Sequence, residues 1–424
     1  MKRILLGNMA ALAAAVGVGI LVPGCAGRTE PLAALAPSQV AAPAIVLPDE
    51  VRERMDAVVE AGIAEGRMPG AVLLVGVGDQ VAYVKSYGNR SLEPDLPMTP
   101  DTVFDLASVS KVVGTATAAM LLIEDGKMTL ETRVADLIPD FAAGGKGDVT
   151  IRDLMTHTSG LKAYENWQTA EAIRGDGEKS DALIRRIASL NKTYPTGERT
   201  IYSCLNFLTL ARVNEIVAGE SMESLLSRRV WKPLGMKDTS YLPRPDMIAR
   251  WAPTFKGALP AGRTPASTHD PLAFYYGSST QHCPGNAGLF STAADLAQWC
   301  RMIANEGEVD GVRIFKPETI RLWTSVHANV PAHSADNPAG GNPVKRALGF
   351  QVSRDMHPDG PSESWVNHTG YTGTYFFIDK NKKSFVLLLA NAVYSKDPPQ
   401  MGPPRTGVAR ALVRYQYGSD SPEE

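Results

Sequence analysis

The sequence predicts an α+β fold: one antiparallel sheet built from both ends of the chain, flanked by helices, with a mostly helical inserted region between. Three observations carry this expectation. A helical stretch runs directly into a strand hairpin near the start, a second strand hairpin lies near the end, and the residues between them read mainly as helices. With 424 residues, 44% of them hydrophobic and 21% charged, the chain is long enough to bury a substantial core.

The elements follow in order. Lys2 and Arg3 precede an apolar run from Ile4 to Val22, broken only by Asn8, which ends in Val22-Pro23-Gly24-Cys25. This is the layout of an export segment, and its end is similar to a bacterial lipoprotein cleavage site at which Cys25 becomes the acylated N-terminus. An uncleaved signal anchor and ordinary secretion are the alternatives. All three readings place the folded part outside the cytoplasm. Residues 1–25 are therefore assigned to a signal peptide, and 26–47, rich in Ala and Pro, to a tether that holds the body off a membrane. Residues 48–417 are assigned to the folded domain.

Within that domain, Val51, Met55, Val58, Val59 and Ile63 recur at helical spacing between charges, which predicts a surface helix over 49–65. Ala71 to Val77 and Val81 to Tyr87 are apolar runs joined through Gly78-Asp79-Gln80, a hairpin. The stretch from Val109 to Asp125 is apolar nearly all round and belongs in a core. Further helices are expected from about Thr150, Ser180 and Asn206, and another after Ser291-Thr292, where a hydroxyl cap precedes Asp295. Gly373 to Asp379 and Ser384 to Ala390 form the second hairpin, with Gly349 to Ser353 a third strand and Val408 to Tyr417 a closing helix. Two polar stretches, Pro253 to Asn286 and Pro331 to Val344, are expected as loops walling a cleft.

Composition excludes several functions. The net charge is −2 with no strongly basic stretch in the mature chain, so nucleic acid is not an expected partner. No spaced set of His, Cys, Asp or Glu suggests a metal, and no cofactor is expected. Cys204, Cys283 and Cys300 remain after Cys25, an odd number that leaves at least one thiol free in an oxidising compartment. Cys283 and Cys300 are close enough in sequence to pair, but ordinary buried thiols are the simpler reading.

The pattern Ser-x-x-Lys occurs three times, at Ser108, Ser159 and Ser189, so the pattern alone selects nothing. Context does. Only Ser108 stands at the mouth of a long buried helix, where Lys111, three residues on, shares its face. The helix start also offers free N–H groups and a positive dipole end.

Ala107-Ser108-Val109-Ser110-Lys111, Tyr202-Ser203-Cys204-Leu205-Asn206 and His368-Thr369-Gly370 together resemble the penicillin-recognising serine hydrolases. That superfamily joins class C β-lactamases, D-alanyl-D-alanine carboxypeptidases, related esterases and peptide amidases. Thr156 to Leu161, Gly285 to Thr292 and His368 to Gly373 agree, and the resemblance spans roughly Asp49 to Tyr394. It implies a β-lactamase/transpeptidase-like fold and an acyl-enzyme on Ser108. Lys111 would assist deprotonation, and Tyr202 would be the base or proton shuttle. The backbone N–H groups of Ser108 and Tyr371 would form an oxyanion hole. His368, Thr369 and Gly370 would line the substrate site, His368 standing where many relatives carry Lys.

One position departs from the family. Cys204 occupies the place of an Asn or Asp that grips the substrate amide, and a thiol makes only weak hydrogen bonds. Asn206 is a partial substitute, and Cys204 as nucleophile is a competing idea that lacks a His-Asp set around it. His157 reads as structural, and His269-Asp270 lies in the long polar loop, where an ordinary loop position is the leading reading and the edge of the cleft the lesser one. The expected function is an exported serine hydrolase acting on a small-molecule or peptide substrate, an ester, amide or peptidoglycan fragment, anchored to a membrane by its N-terminal lipid. A class C-like β-lactamase and a non-catalytic penicillin-binding-type module are the alternatives.

Overall fold

A computed structural model describes residues 45–264, 267–277, 282–333, 340–352 and 362–418. The export segment, Cys25 and nearly all of the tether lie outside these residues. Helix α1 (Asp49–Ala64) starts with Asp49 and Glu50 in its first turn, where the helix dipole favours acids. It buries Val51, Met55 and Val59. Strands β1 (Gly70–Val77), β2 (Gln80–Leu92) and β3 (Asp95–Pro97) follow. A tight 3-10 turn at Ala107–Val109 and a wide π turn at Lys111–Ala116 lead into α2 (Thr117–Glu124). The middle of the chain supplies α3 (Ile151–Thr156), α4 (Lys179–Ser189), β4 (Thr200–Ile201), α5 (Cys204–Ala218) and α6 (Ala293–Ala304). The last part supplies β5 (Ala328–His333), β6 (Pro343–Arg346), β7 (Gln351–Val352), β8 (Trp365–Thr369), β9 (Tyr375–Asp379), β10 (Ser384–Ala390) and α7 (Gly402–Tyr417).

These ten strands form one sheet in the order β3-β2-β1-β10-β9-β8-β7-β6-β5-β4. The two ends of the chain meet at its centre, where β1 pairs antiparallel with β10 from Ala71↔Ala390 to Gly76↔Phe385. Alternate side chains then serve two cores. Leu73, Val75, Phe377, Val386 and Leu388 pack on the side that holds the apolar residues of α1 and α7. Val72, Leu74, Phe376, Ile378, Leu387 and Leu389 pack with α2, α5 and α6. Burial on both faces explains why β1 and β10 are apolar throughout rather than alternating.

Several expectations are corrected. Pro331 to Val344 is not simply a loop, because Ala328–His333 and Pro343–Arg346 pair as the antiparallel strands β5 and β6, with Pro331 opposite Pro343. Their prolines and polar residues conceal the strands, and such residues are tolerated here because only the two-residue β4 lies beyond β5. The stretch from Pro253 to Asn286 contains a helix, Pro271–Gly277. Strand β7 has only two residues among the described ones. Helix α7 begins six residues earlier than expected, at Gly402, since the first turn of a helix accepts proline. Cys283 and Cys300, by contrast, are the buried free thiols that the simpler reading expects.

Candidate active site

The chain enters the site through Phe104-Asp105-Leu106, which lies beside the turn after β8. The Asp105 carboxylate is buried and accepts from the Ala107 N–H at 2.8 Å, the His269 N–H at 2.6 Å and the Thr268 hydroxyl at 3.2 Å. Burial pushes its pKa up and these donors oppose the shift. Ala107 is held at φ 44°, a left-handed conformation that costs a residue with a Cβ about 1 kcal/mol or more. The Asp105 grip opposes that cost, and the strained residue turns the next one, Ser108, into the cleft. Sequence reading missed Asp105, whose only signal is an acid between Phe104 and Leu106 just before the serine.

The π turn that follows buries Lys111 completely. Its ammonium donates to Ser108 Oγ at 3.0 Å, to the Asn286 carbonyl at 2.8 Å and to Cys204 Sγ at 3.5 Å. It also lies 4.9 Å from the centre of the Tyr202 ring. Burial pulls the Lys111 pKa down, but Cys204, Tyr202 and Asp270 outweigh that and hold it above the ordinary value. Lys111 is therefore charged at neutral pH.

Tyr202 arrives from β4, which adds parallel to β5 at the far edge of the sheet. His157 fixes it from behind. This residue caps α3 in a left-handed conformation, accepts the Ser203 N–H on Nδ1 at 3.0 Å and places its ring 4.6 Å from that of Tyr202. Burial, followed by the charges of Arg346 and Lys111, keeps His157 well below its usual pKa and hence neutral. The Thr150–Asp153 capping box at the other end of α3 secures the helix that carries it.

Ser108, Tyr202, Cys204, His269, Asp270 and Tyr371 share the wall of a cleft of about 520 Å³. Tyr164 also lines it, donating from its hydroxyl to Asp270 Oδ2 at 3.2 Å, and Asn286 Nδ2 donates to Asp270 Oδ1 at 3.0 Å. The turn after β8 is fastened to the serine segment by two hydroxyls. Thr372 donates to the Asp105 carbonyl at 2.7 Å and Thr374 to the Leu106 carbonyl at 2.9 Å. Gly370 is required there, because a Cβ would stand 2.0 Å from Thr374 Oγ1 and 2.4 Å from the Leu106 carbonyl.

Two residues, Asn206 and His368, sit differently from expectation. Asn206 does not reach the cleft. It lies two positions beyond Cys204 on α5, is fully buried, and its side-chain oxygen accepts the Ser159 hydroxyl at 2.6 Å. Two helical steps turn a side chain about 200°, so Cys204 and Asn206 point opposite ways. His368 is buried behind the cleft wall, its ring 6.0 Å from that of Tyr202 and its Nδ1 2.9 Å from the Thr369 carbonyl. Burial and the charges of Lys111 and Arg346 bring its pKa down to about 3, so it is a neutral group where many relatives carry a cation. Cys204 does touch the cleft, but burial raises its pKa by more than Lys111 lowers it, which keeps the thiol protonated. Among the described residues, no group of acids, histidines and cysteines is arranged to hold a metal.

Residues 55–410 match the Beta-lactamase family. An N-acetylmuramyl-L-alanine amidase of Bacillus subtilis is 29% identical over 365 residues, covering 80% of each chain. Esterase EstB of Burkholderia gladioli is 28% identical over 373 residues, 80% of this chain and 90% of the esterase. A penicillin-binding protein homolog from Caulobacter crescentus superposes with a TM-score of 0.69 at 22% identity, over 87% of this chain and 98% of its own.

Proposed function

Because this chain belongs to the Beta-lactamase family and is a serine hydrolase, we propose that it works through an acyl-enzyme on Ser108, hydrolysing a peptide, amide or ester. The observation that carries this reading is the 3.0 Å hydrogen bond from a buried, charged Lys111 to the Ser108 hydroxyl at the floor of a substrate-sized cleft. A lysine that already holds its proton cannot take another. Lys111 therefore acts by its charge, favouring the phenolate form of Tyr202 and the Ser108 alkoxide, and the Tyr202 phenolate takes the hydroxyl proton. Ser108 Oγ bonds to the substrate carbonyl carbon, the negative oxygen is met by the N–H groups of Ser108 and Tyr371, and the proton passes to the departing amine or alcohol. Water then repeats the sequence on the acyl-serine and releases the acid.

Peptidoglycan fragments are among the substrates this reading admits, in keeping with the relative named as an N-acetylmuramyl-L-alanine amidase. Export and acylation at Cys25 belong to the same proposal, supported by the Lys2-Arg3 start, the apolar run and the residues around Cys25. A fluorophosphonate probe tests the nucleophile. It is expected to leave one adduct, on the peptide that contains Ser108, and none on Ser108→Ala. An adduct on Cys204, or labelling that survives Ser108→Ala, overturns the assignment.

A further inference from the structure

A second hollow, of about 860 Å³, opens beside the cleft and shares His269, Pro271 and Asp397 with it. A substrate that reaches Ser108 and outgrows the cleft has this space next to it. Its walls are aromatic. Trp167 stacks on Tyr275 with ring centres 5.5 Å apart, and Phe255 stacks on His269 at 4.9 Å. Arg263 lies over two lining rings, its guanidinium carbon 4.3 Å from the centre of Phe274 and 5.2 Å from that of Phe255. It donates to the backbone carbonyls of Thr268 and His269 and forms no ion pair among the described residues. Lys179 and Lys256 are also on the wall; Glu171, near Lys179, accepts the Tyr275 hydroxyl at 2.8 Å, Asp270 lies near Arg263, and among the described lining residues the carboxylate is Asp397. That carboxylate sits on the shared rim and accepts the Tyr371 hydroxyl at 2.6 Å.

The chemistry is that of a receptor for an anion on an apolar body. Two rings pack close to the guanidinium and its backbone bonds fix its position, so little freedom remains to be lost when a carboxylate binds. A guanidinium–carboxylate contact is charge-assisted and directional, while flat apolar walls take an aryl or alkyl group. We propose that this hollow is a substrate subsite for an aryl or alkyl group bearing a carboxylate, on the part of the substrate remote from the scissile bond. The subsite rests on the Ser108 reading for its place in the reaction, but its binding does not require turnover.

The test uses the full chain carrying Ser108→Ala, with 4-phenylbutyrate and its neutral amide as probes in a calorimetric titration. The carboxylate is expected to bind about tenfold more tightly than the amide. Adding Arg263→Gln is expected to remove that preference, and adding Trp167→Ala to weaken both probes together. Because Arg263 also ties down its own loop, Lys256→Gln is measured in parallel and is expected to narrow the preference without changing the thermal midpoint. Equal affinity for the two probes, or a preference unchanged in both Arg263→Gln and Lys256→Gln, overturns the proposal. If the probes bind as expected while fluorophosphonate fails to label Ser108, the acyl-enzyme reading falls and the subsite stands. Normal labelling without probe preference gives the reverse.

Discussion

Lys111 has three ammonium hydrogens, and the structure directs them to Ser108, Cys204 and the Asn286 carbonyl. On the acyl-enzyme reading, its service is therefore electrostatic. Cys204 then becomes the residue that separates this chain from amide-gripping relatives. Its thiol stands where a side-chain amide would present both an acceptor and a donor, and sulfur does neither well. Substrates without an amide lose least from the exchange, so small acyl esters are expected to exceed β-lactams in kcat/KM. Cys204→Asn should raise amide turnover relative to ester turnover about two- to tenfold, the worth of one added hydrogen bond of about 0.5–1.5 kcal/mol. A ratio of amide to ester kcat/KM that stays constant in a folded Cys204→Asn protein contradicts this account. So does a native enzyme that hydrolyses penicillins faster than esters.

Among the elements, the turn between β8 and β9 bears most directly on catalysis. Thr372 and Thr374 hold it against the serine segment, and Gly370 lets the two backbones approach more closely than any side chain allows. The distance between the Ser108 and Tyr371 N–H groups is thereby set by this packing. Gly370→Ala forces the turn away from Leu106 and, if the Tyr371 N–H is an oxyanion donor as proposed, takes that donor out of place. Its kcat is expected to fall about 10²- to 10³-fold, the cost of one such donor, while KM changes little. Steady-state kinetics alongside a thermal melt check this: a folded Gly370→Ala enzyme with kcat within twofold of the parent would show that the turn does not set the donors. Helix α3 works in the same way at longer range. Its capping box secures one end, and the left-handed His157 at the other supports Tyr202.

At the scale of the whole molecule, the sheet is closed by pairing the first strand with the last, β1 with β10. The folded body is organised from its first described residues, since Leu47 is already buried ahead of α1. If Cys25 is the acylated terminus, Cys25→Ser expressed in a bacterial host is expected to move from the membrane fraction to the soluble one, or to accumulate at the mass of the unprocessed precursor. Fractionation and intact-mass measurement together decide it. Unchanged location and mass select an uncleaved anchor or ordinary secretion.

The sequence by itself determined the hairpins at both ends, the buried helical run after Ser108 and the order of the three motifs. Each depends on a period or spacing within a few residues: alternation, the i to i+3 step from Ser108 to Lys111, or a cap such as Thr292. Three motifs in a set order also suffice to recognise a family, because a family keeps its chemistry at the ends of its elements. Other features were decided only by tertiary structure. Strands β5 and β6 exist through pairing with each other and their neighbours, against the grain of their prolines. Asn206 and Cys204, two residues apart, are separated into core and cleft by the packing of α5. Asp105 gains its meaning from a hydrogen bond to His269, and Lys111 from one to Asn286, partners far along the chain. The second hollow is lined by residues from Trp167 to Asp397. Local pattern specifies which element a residue joins, but contacts between distant segments decide which way it faces and what it touches. Loop closure brings those segments together only when the whole core forms.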